Sequence, residues 1–437
     1  MSLREGRTPS WLAAWCGWVL AGMFALTPLI GWLAPLGFAP LVALAGLLTL
    51  PAIHLRRDDW STAAALLVLV GWAMLSVRWS PYEPPDLEGH TALKLALQAP
   101  LYWAVVCAAR RAAPAARYRA LQMLVWGMSA LGIILCLEAL SGAKLYQFLK
   151  TLIGDAEADR WDLAQRNVGN GGFVLALLWG PAGLAALRVG GPSWLAGFLL
   201  GALALLTFSF GPDAPLLAAL AGVAAALAVI RWPKGAARLL AVASGLFMLM
   251  APWLILAARD GGLLAKAQAA APQSWADRIG YWGNAANWAA ADPILGWGLD
   301  ASRMFSPGIR LHPHDAALQV WMELGLVGAL AAAIVWGMTF ARIARPRSGL
   351  IAGAQAAAAM AYFVIGAVSF GVWQEWWLAL GALAAAACAA VQRQPAAVAL
   401  AAQRDRSRGG TSAGAWEAGV ARFADREPGS TGRGQVE

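Results

Sequence analysis

Two histidines and an aspartate, His312, His314 and Asp315, stand directly before a long apolar run. Histidine changes its charge near neutral pH, so a histidine at the mouth of a membrane span is a candidate general base. His314 is the better placed of the two, and we predict that it is the catalytic residue. The alternative is a histidine that only satisfies loop carbonyls. For His312 we predict a place in the loop or a secondary polar contact.

The apolar run after His314 contains further polar residues and glycines. Gln319 and Glu323 are four residues apart and share one helical face, opposite His314. Ionisable residues within a membrane span are costly and are therefore functional candidates. On a continuous helix, Gly325 and Gly328 would share the face of His314 and let a neighbouring helix approach. We predict as supporting residues Asp315, Gln319, Glu323, Gly325 and Gly328.

Three arginines are the candidates for a phosphate-binding site: Arg166, Arg278 and Arg303. Guanidinium groups bind phosphate oxygens through paired hydrogen bonds. Arg278 belongs to SWADRIGYWGNAANWAA, a pattern that predicts a helix near 274–290 along the membrane surface, with Trp282 as a supporting residue on its apolar face. Arg303 follows GWGLDAS, whose glycines allow tight turns near a ligand. For any single arginine the alternative is a contact with lipid headgroups.

Hydropathy predicts the elements that must position these residues. Of the 437 residues, 60% are hydrophobic and 13% are charged, whereas a soluble protein carries about 25% charged residues. Continuous apolar runs of about 20 residues recur along the chain, and they favour membrane helices over a β-barrel. We predict an all-α polytopic membrane protein with about 12 spans, at 11–32, 35–53, 61–78, 92–109, 119–140, 171–188, 193–210, 214–231, 236–257, 316–340, 350–370 and 373–392.

The loops between these spans differ in charge. Basic loops such as HLRRDD and RRAAPAARYR follow even-numbered spans, so the positive-inside rule predicts that both termini are cytoplasmic. This bias also accounts for the net charge of +9, and no nucleic acid partner is predicted. The long loop 258–315, before the tenth span, then lies on the outer side. We predict a membrane domain over 1–392 and a disordered cytoplasmic tail over 393–437.

Other chemistry has little support in the sequence. The four cysteines, Cys16, Cys107, Cys136 and Cys388, lie inside apolar runs, so we expect neither disulfides nor a thiolate metal site. Walker-type and His-Glu-x-x-His motifs are not found, and we predict no cofactor and no metal. The tryptophans of WQEWW at 373–377 are predicted as interfacial anchors, with a sugar site as the alternative.

The chain resembles the O-antigen ligase family, which includes Wzy-type polysaccharide polymerases. The match rests on His314 and Asp315, then nine residues, then Gly325-x-x-Gly328. ADPILGWGLDASR at 291–303 resembles the Pro-x-x-Gly-x-Gly stretch that precedes this histidine in the family. RIGYW, RNVGNGGFVLALL and VRWSPYEP resemble other family segments. Asp315 stands where Asn, Ser or Gln is usual.

The resemblance implies a GT-C-like membrane fold and a metal-independent, inverting glycosyl transfer at the periplasmic face of the bacterial inner membrane. The donor would be a glycan on undecaprenyl diphosphate, held by Arg166, Arg278 and Arg303, and His314 would be the base. The acceptor would be lipid A-core for a ligase, or another lipid-linked glycan for a polymerase. The Arg-x-x-x-Leu motif of ligases is not found around Arg166 or Arg278, which favours a polymerase.

Two other functions also fit the sequence. A 12-span transporter of lipid-linked glycan or another solute would suit the span count and interrupted helices such as SFGPDAPL. Such a protein would not release undecaprenyl diphosphate. A protein O-oligosaccharyltransferase would use the same outer-face motif on a protein acceptor. The identity of the sugar and the oligomeric state are not determined by these residues.

Overall fold

The protein is built of α-helices. The structure, a computed structural model, describes residues 8–211, 213–343 and 349–395, and within these ranges it contains no β-strand. The first eight helices are α1 Ser10–Leu33, α2 Phe38–Leu48, α3 Trp60–Ser76, α4 Thr91–Arg111, α5 Pro114–Ser141, α6 Lys144–Leu152, α7 Trp161–Gly169 and α8 Gly171–Val189. The next eight are α9 Leu195–Phe210, α10 Asp213–Arg231, α11 Pro233–Asp260, α12 Leu263–Ala270, α13 Gln273–Ala291, α14 Ala316–Ile343, α15 Gly349–Val368 and α16 Glu375–Arg393.

Ten helices in the described ranges are long and apolar enough to cross a membrane. The other two predicted spans contain shorter apolar helices. In 35–53 a 3-10 turn, Pro35–Gly37, precedes α2, and 193–210 contains α9. Proline lacks a backbone N–H, so Pro35 before α2 and Pro51 after it limit that helix. The all-α polytopic fold is confirmed, whereas the number of twelve spans stays a prediction.

Helix α8 lies at the centre of the bundle. In the most apolar stretch of Trp161–Val189, 83% of the residues are buried, whereas in that of α11 only 22% are buried. It packs against α5, α9, α15 and α16. A Cβ on Gly180 would lie only 3.1 Å from the Cβ of Ala357, and one on Gly183 only 2.6 Å from that of Ala196. Such small residues let membrane helices approach closely, where van der Waals packing stabilises them.

The loop before α14 is itself partly helical. It contains α12, α13 and a 3-10 turn, Ala301–Met304. The helix expected near 274–290 is α13, which packs against α11 and α14. Its buried side carries Ile279, Gly283, Ala286 and Ala289. This packing fixes α13 beside the start of α14, where the candidate base stands.

The predicted tail falls almost wholly outside the residues that the structure describes. Helix α16 ends at Arg393, and the description ends at residue 395. The division into a membrane domain over 1–392 and a tail over 393–437 therefore stays a prediction.

Candidate active site

Helix α14 begins just after His314. Asp315 is its N-cap: Oδ1 accepts the N–H of Leu318 at 2.9 Å, and its carbonyl oxygen accepts the N–H of Gln319 at 2.9 Å. His314 precedes this cap with a φ of 57°, in the left-handed region that non-glycine residues seldom adopt. The expectation that His314 shares a helical face with Gly325 is wrong, because helical geometry starts only after the cap.

The imidazole of His314 is oriented by one backbone carbonyl. Its Nδ1 lies 2.5 Å from the carbonyl oxygen of Ser369. Since a carbonyl oxygen can only accept, Nδ1 carries the proton and Nε2 keeps a lone pair. Nε2 has no hydrogen-bond partner among the described residues, and the side chain is half-buried. This histidine is therefore ready to take a proton from a hydroxyl group.

His312 has the opposite tautomer. Its Nδ1 accepts the backbone N–H of His314 at 3.2 Å, so its own proton lies on Nε2. That Nε2 is 3.2 Å from the side-chain amide of Gln374, whose Oε1 is otherwise buried without a partner. With the amide turned so that Oε1 faces His312, the Nε2–H of His312 donates to it. Both ring nitrogens of His312 are then occupied, so it supports His314 and is not a second base.

Burial keeps both histidines neutral. It lowers the pKa of His312 to about 3, and the charges of His314, Arg303 and Arg278 act in the same direction. Burial is also the main cause of the lowered pKa of His314, which Arg278 lowers further and the Ser369 carbonyl raises. For Asp315, burial raises the pKa to about 7. A neutral imidazole is the form that can act as a base.

An interruption of α14 lies below the two histidines. Gly325 has φ 60° and ψ −156°, a conformation that only glycine adopts readily. A Cβ at this position would lie 2.3 Å from a loop carbonyl oxygen. The interruption frees the carbonyls of Met322 and Glu323, which accept the N–H groups of Trp297 and Gly298, both at 2.8 Å. The loop thus replaces the helical bonds that Gly325 breaks.

Two of the sequence motifs therefore stabilise each other. The Pro-x-x-Gly-x-Gly stretch supplies Gly296 and Gly298, both with positive φ, and a Cβ on Gly296 would lie 2.5 Å from the nitrogen of Gly325. The expectation that Gly325 and Gly328 admit a neighbouring helix is wrong. Gly325 admits this loop, and a Cβ on Gly328 would collide at 2.2 Å with Leu324 of its own helix. Both glycines are required by the interruption.

Gln319 and Glu323 attach the segment 369–374 to α14. Gln319 Nε2 donates to Glu323 Oε1 at 3.0 Å, while Gln319 Oε1 accepts the N–H of Val372 at 3.0 Å. Glu323 Oε2 accepts the indole N–H of Trp373 at 2.6 Å. Both polar side chains are buried, where such groups must be hydrogen-bonded. Although the helical wheel put them opposite the histidine, they fix the segment whose carbonyl orients its ring.

The three predicted arginines lie in different environments. Arg278 lies 5.1 Å from the ring of Trp275, and its guanidinium has no hydrogen bond or ion pair within the described residues. Burial lowers the pKa of Arg278, and the charge of Asp213 acts in the opposite direction. Its charge lowers the pKa of both histidines. Arg303 donates through Nε to Oδ1 of Asp300 at 3.1 Å. Arg166 is exposed on α7. The structure therefore brings Arg278 and Arg303 to the histidines and shows no contact between Arg166 and them.

Helix α13 contributes two aromatic residues to this region. Trp282 packs in an apolar cluster with α14, and its buried N–H has no partner among the described residues. Tyr281, which sequence reasoning missed, lies with its ring 6.2 Å from the ring of His314 at an interplanar angle of 21°. Its sequence signal was the three-residue spacing from Arg278, which puts both side chains on one helical face. The α13 side of His314 therefore presents a cation and an aromatic ring.

A cavity of about 450 Å³ lies against His312. Its lining includes neither His314 nor Arg278. The polar and aromatic lining residues are Glu88, Thr91, Lys94, Asp300, Ser302, Arg303, His312, Gln319, Trp373, Gln374, Glu375 and Trp376. Lys94 forms an ion pair with Glu375, which also accepts from Gln98 at 3.0 Å. Sequence reasoning missed the pairing of Lys94 with Glu375, because no local pattern links residues so far apart.

The described residues contain no group of three His, Cys, Asp or Glu side chains that could hold a metal ion. The charged groups around the histidines are instead the arginines and the capped or networked carboxyls described above.

The central part of the chain matches a known protein family. Residues 169–333 match a family described as O-Antigen ligase. The matched range contains Arg278, Arg303, His314 and the interruption at Gly325, but it begins after Arg166.

Three curated relatives, each named "Putative polysaccharide ligase", come from species of Rickettsia. The proteins of Rickettsia conorii and Rickettsia felis are 29% and 28% identical over 122 residues, and that of Rickettsia prowazekii is 30% identical over 123 residues. Each match covers 25% of this chain and 30% of the relative. The chain thus spans under a third of the length of these relatives. No solved structure matches the chain.

Proposed function

This chain resembles the O-antigen ligase family over residues 169–333, and on that premise we propose that it is a membrane glycosyltransferase. It transfers a glycan from a lipid diphosphate carrier to a hydroxyl group of the acceptor. One observation carries the proposal: His314 is neutral with a free Nε2, and Arg278, which forms no hydrogen bond or ion pair within the described residues, is near enough for its charge to lower the pKa of His314. A base near a cation that forms no ion pair suits a reaction that deprotonates a hydroxyl and expels a phosphate.

In the proposed reaction, the acceptor oxygen attacks the anomeric carbon of the donor sugar. The bond from that carbon to the diphosphate oxygen breaks, and the lipid diphosphate leaves with the electron pair. His314 Nε2 takes the proton of the attacking hydroxyl. A single displacement of this kind inverts the anomeric configuration. The carrier is undecaprenyl diphosphate, as the family resemblance implies.

Arg278 and Arg166 are the proposed contacts of the diphosphate. Guanidinium groups bind phosphate oxygens in pairs and stay charged at every cellular pH, so they stabilise the leaving group without a metal ion. Arg303 was also expected to bind the diphosphate. It is already paired with Asp300 and lines the cavity, so we assign it to that side of the site.

We place this site at the periplasmic face of the bacterial inner membrane, with both termini cytoplasmic. The arrangement of basic residues supports this orientation. Arg110 and Arg342 meet at buried Asp59, where α3 begins and α4 and α14 end, and the candidate site lies at the opposite ends of α3, α4 and α14. A lipid-linked donor would then reach the site from the outer leaflet.

The test uses purified wild type and His314→Ala, each incubated with an undecaprenyl diphosphate-linked oligosaccharide. Lipid A-core and a second lipid-linked glycan from the native host are offered as acceptors. We expect glycan transfer and release of undecaprenyl diphosphate by the wild type, and a loss of about 10²–10⁴-fold in the variant. His54→Ala, a histidine outside the site and the cavity lining, is the control.

Each outcome of this test has a definite meaning. The product distinguishes a ligase from a polymerase. Equal activity in wild type and His314→Ala would exclude His314 as the base. Transfer only to a protein acceptor would identify a protein O-oligosaccharyltransferase. An absence of lipid release with every native acceptor would overturn the enzyme proposal and favour a transporter.

A further inference from the structure

The cavity beside His312 differs in charge from the α13 side of His314. Each of its two cations is paired: Lys94 with Glu375, and Arg303 with Asp300. Glu88 also lines the cavity, is exposed and makes no ion pair or hydrogen bond through its side chain within the described chain. The cavity therefore offers carboxylate oxygens and no uncompensated cation. A diphosphate would be repelled there, whereas hydroxyl groups could donate to Glu88.

Aromatic residues form part of the same wall. Trp373 and Trp376 line the cavity, and the ring of Trp376 is supported by Phe370, with ring centroids 4.6 Å apart. Trp376 has no hydrogen bond from its indole N–H to a described residue. Indole rings combine an apolar surface with a donor, and such a surface with few polar groups is typical of small-molecule sites. This favours the sugar-site alternative for WQEWW over a purely interfacial anchor.

The cavity also lies close to the candidate base. Its lining includes His312, whose ring centroid lies 4.2 Å from that of His314. Gly371 lines the cavity at this wall, and a Cβ there would lie 3.0 Å from the ring of His312. The volume of about 450 Å³ falls within the range of small-molecule sites, about 300–1,000 Å³. A ligand in the cavity would therefore lie one imidazole ring away from the candidate base.

From this contrast we infer that the cavity binds the sugar of the acceptor, as a hydroxyl-rich and phosphate-free unit. The donor diphosphate binds on the other side, against Arg278. The inference rests on the proposed function for the identity of the two substrates. It adds that the two substrates are sorted by charge, with Glu88 as a sugar contact at the cavity wall.

The direct test is a calorimetric binding titration of the purified full-length protein. The probes are two phosphate-free oligosaccharides from the native host: dephosphorylated, deacylated lipid A-core oligosaccharide and a single O-antigen repeat unit. We expect one of them to bind, and Glu88→Gln to weaken that binding about tenfold, because a hydrogen bond to a charged group is lost. Glu83→Gln, an exposed carboxylate of the same loop that does not line the cavity, is the matched control and should bind as the wild type does.

A competition experiment distinguishes the two sides of the site. Inorganic pyrophosphate should leave oligosaccharide binding unchanged; displacement of the sugar by pyrophosphate would overturn the inference. So would the absence of binding by both probes, or equal binding by wild type and Glu88→Gln. In the transfer assay, Glu88→Gln should raise the acceptor KM about tenfold and leave the donor KM unchanged.

The inactive His314→Ala variant separates this inference from the proposed reaction. It should still bind the oligosaccharide with wild-type affinity, because the base does not line the cavity. If wild type binds the sugar but transfers no glycan, the proposed function fails while the cavity assignment holds. If transfer occurs but depends equally on Glu88 and Glu83, the cavity assignment fails alone.

Discussion

The cations on the two sides of His312 and His314 differ in whether they form an ion pair. On the α13 side, Arg278 has no ion pair within the described residues, although it is half-buried beside Trp275. On the cavity side, Lys94 and Arg303 are each paired with a carboxylate. Cations with and without an ion pair therefore both lie near the histidines. What separates them is whether the cation already forms an ion pair with a carboxylate.

The difference has a physical consequence for ligand choice. Burying a cation without an ion pair is costly, so a bound anion at Arg278 would gain charge-assisted hydrogen bonds that no described side chain already makes, although the charge of Asp213 acts on the same guanidinium. An anion in the cavity would first have to displace a carboxylate from Lys94 or Arg303. The position of an arginine near a base is therefore a weaker indicator of phosphate binding than its lack of a counter-charge.

The largest effect is expected from a substitution that disturbs both the α13 side and the cavity side of the site. Gly325→Ala places a Cβ 2.3 Å from the carbonyl oxygen of Ile294 in a conformation that only glycine adopts readily. The docked loop, which leads to Asp300 and Arg303, should detach, and stability should fall by about 3 kcal/mol or more. The thermal unfolding midpoint in detergent measures this. Gly337→Ala, in the same helix with only an ordinary 3.6 Å contact, should be close to neutral.

The next effect concerns the α13 side alone. Arg278→Ala should lower kcat/KM for the donor about 10²–10³-fold, because a preorganised charge at the leaving group is lost. It should also raise the pKa of His314, since the Arg278 charge lowers it. The base form would then be lost at a higher pH, so the acid limb of the pH–rate profile should move upward.

A conservative variant sharpens this prediction. Arg278→Lys keeps the charge, so the acid limb should stay near its wild-type position while donor binding still weakens through loss of the planar fork. The exposed Arg310→Ala is the control and should change neither quantity. A wild-type donor KM and pH profile in Arg278→Ala would show that the unpaired cation has no role in the reaction.

A smaller effect is expected from substitution of His312, which lies between the cavity and His314. His312→Ala removes the acceptor of the His314 N–H, and the resulting freedom of the base should lower kcat about tenfold to a hundredfold. His312→Asn restores an acceptor near the position of Nδ1 and should recover most of the activity. Single-turnover rates at saturating substrates measure this. Equal loss in both variants would point to a role of the ring other than positioning.

The smallest effect concerns Asp315, the N-cap of α14. Burial raises the pKa of Asp315 from 3.8 to about 7. The folded protein therefore holds this proton more tightly than the unfolded chain does, and stability falls as the pH rises from about 4 to about 7. Asp315→Asn keeps the cap without this loss, so its unfolding midpoint should exceed that of the wild type at pH 8 and approach it at pH 4.

The corresponding alanine variant tests the cap itself. Asp315→Ala removes the acceptor for the Leu318 N–H and should cost about 1 kcal/mol relative to Asp315→Asn at every pH. If the two variants unfold at the same temperature, the side-chain cap contributes nothing to stability.

Much of the helical fold followed from local pattern. Helix α1 falls within a residue of its predicted span, and the helix predicted near 274–290 is α13. Lipid forces each apolar segment to satisfy its backbone internally, so apolar run length determines helices with little help from the rest of the chain. The prolines around α2 shortened that helix, a local effect that the hydropathy window did not weigh.

The sequence by itself determined the apolar helices, the polar cluster at the start of α14 and the residue types that could do chemistry. Only the tertiary structure decided which partners these residues meet. The tautomer of His314 depends on a carbonyl 55 residues away, the interruption at Gly325 on a loop that donates to freed carbonyls, and the charge state of the cavity on Lys94 meeting Glu375. Helix formation is a local response to the solvent, whereas hydrogen-bond and ion-pair partners are selected by packing between distant segments.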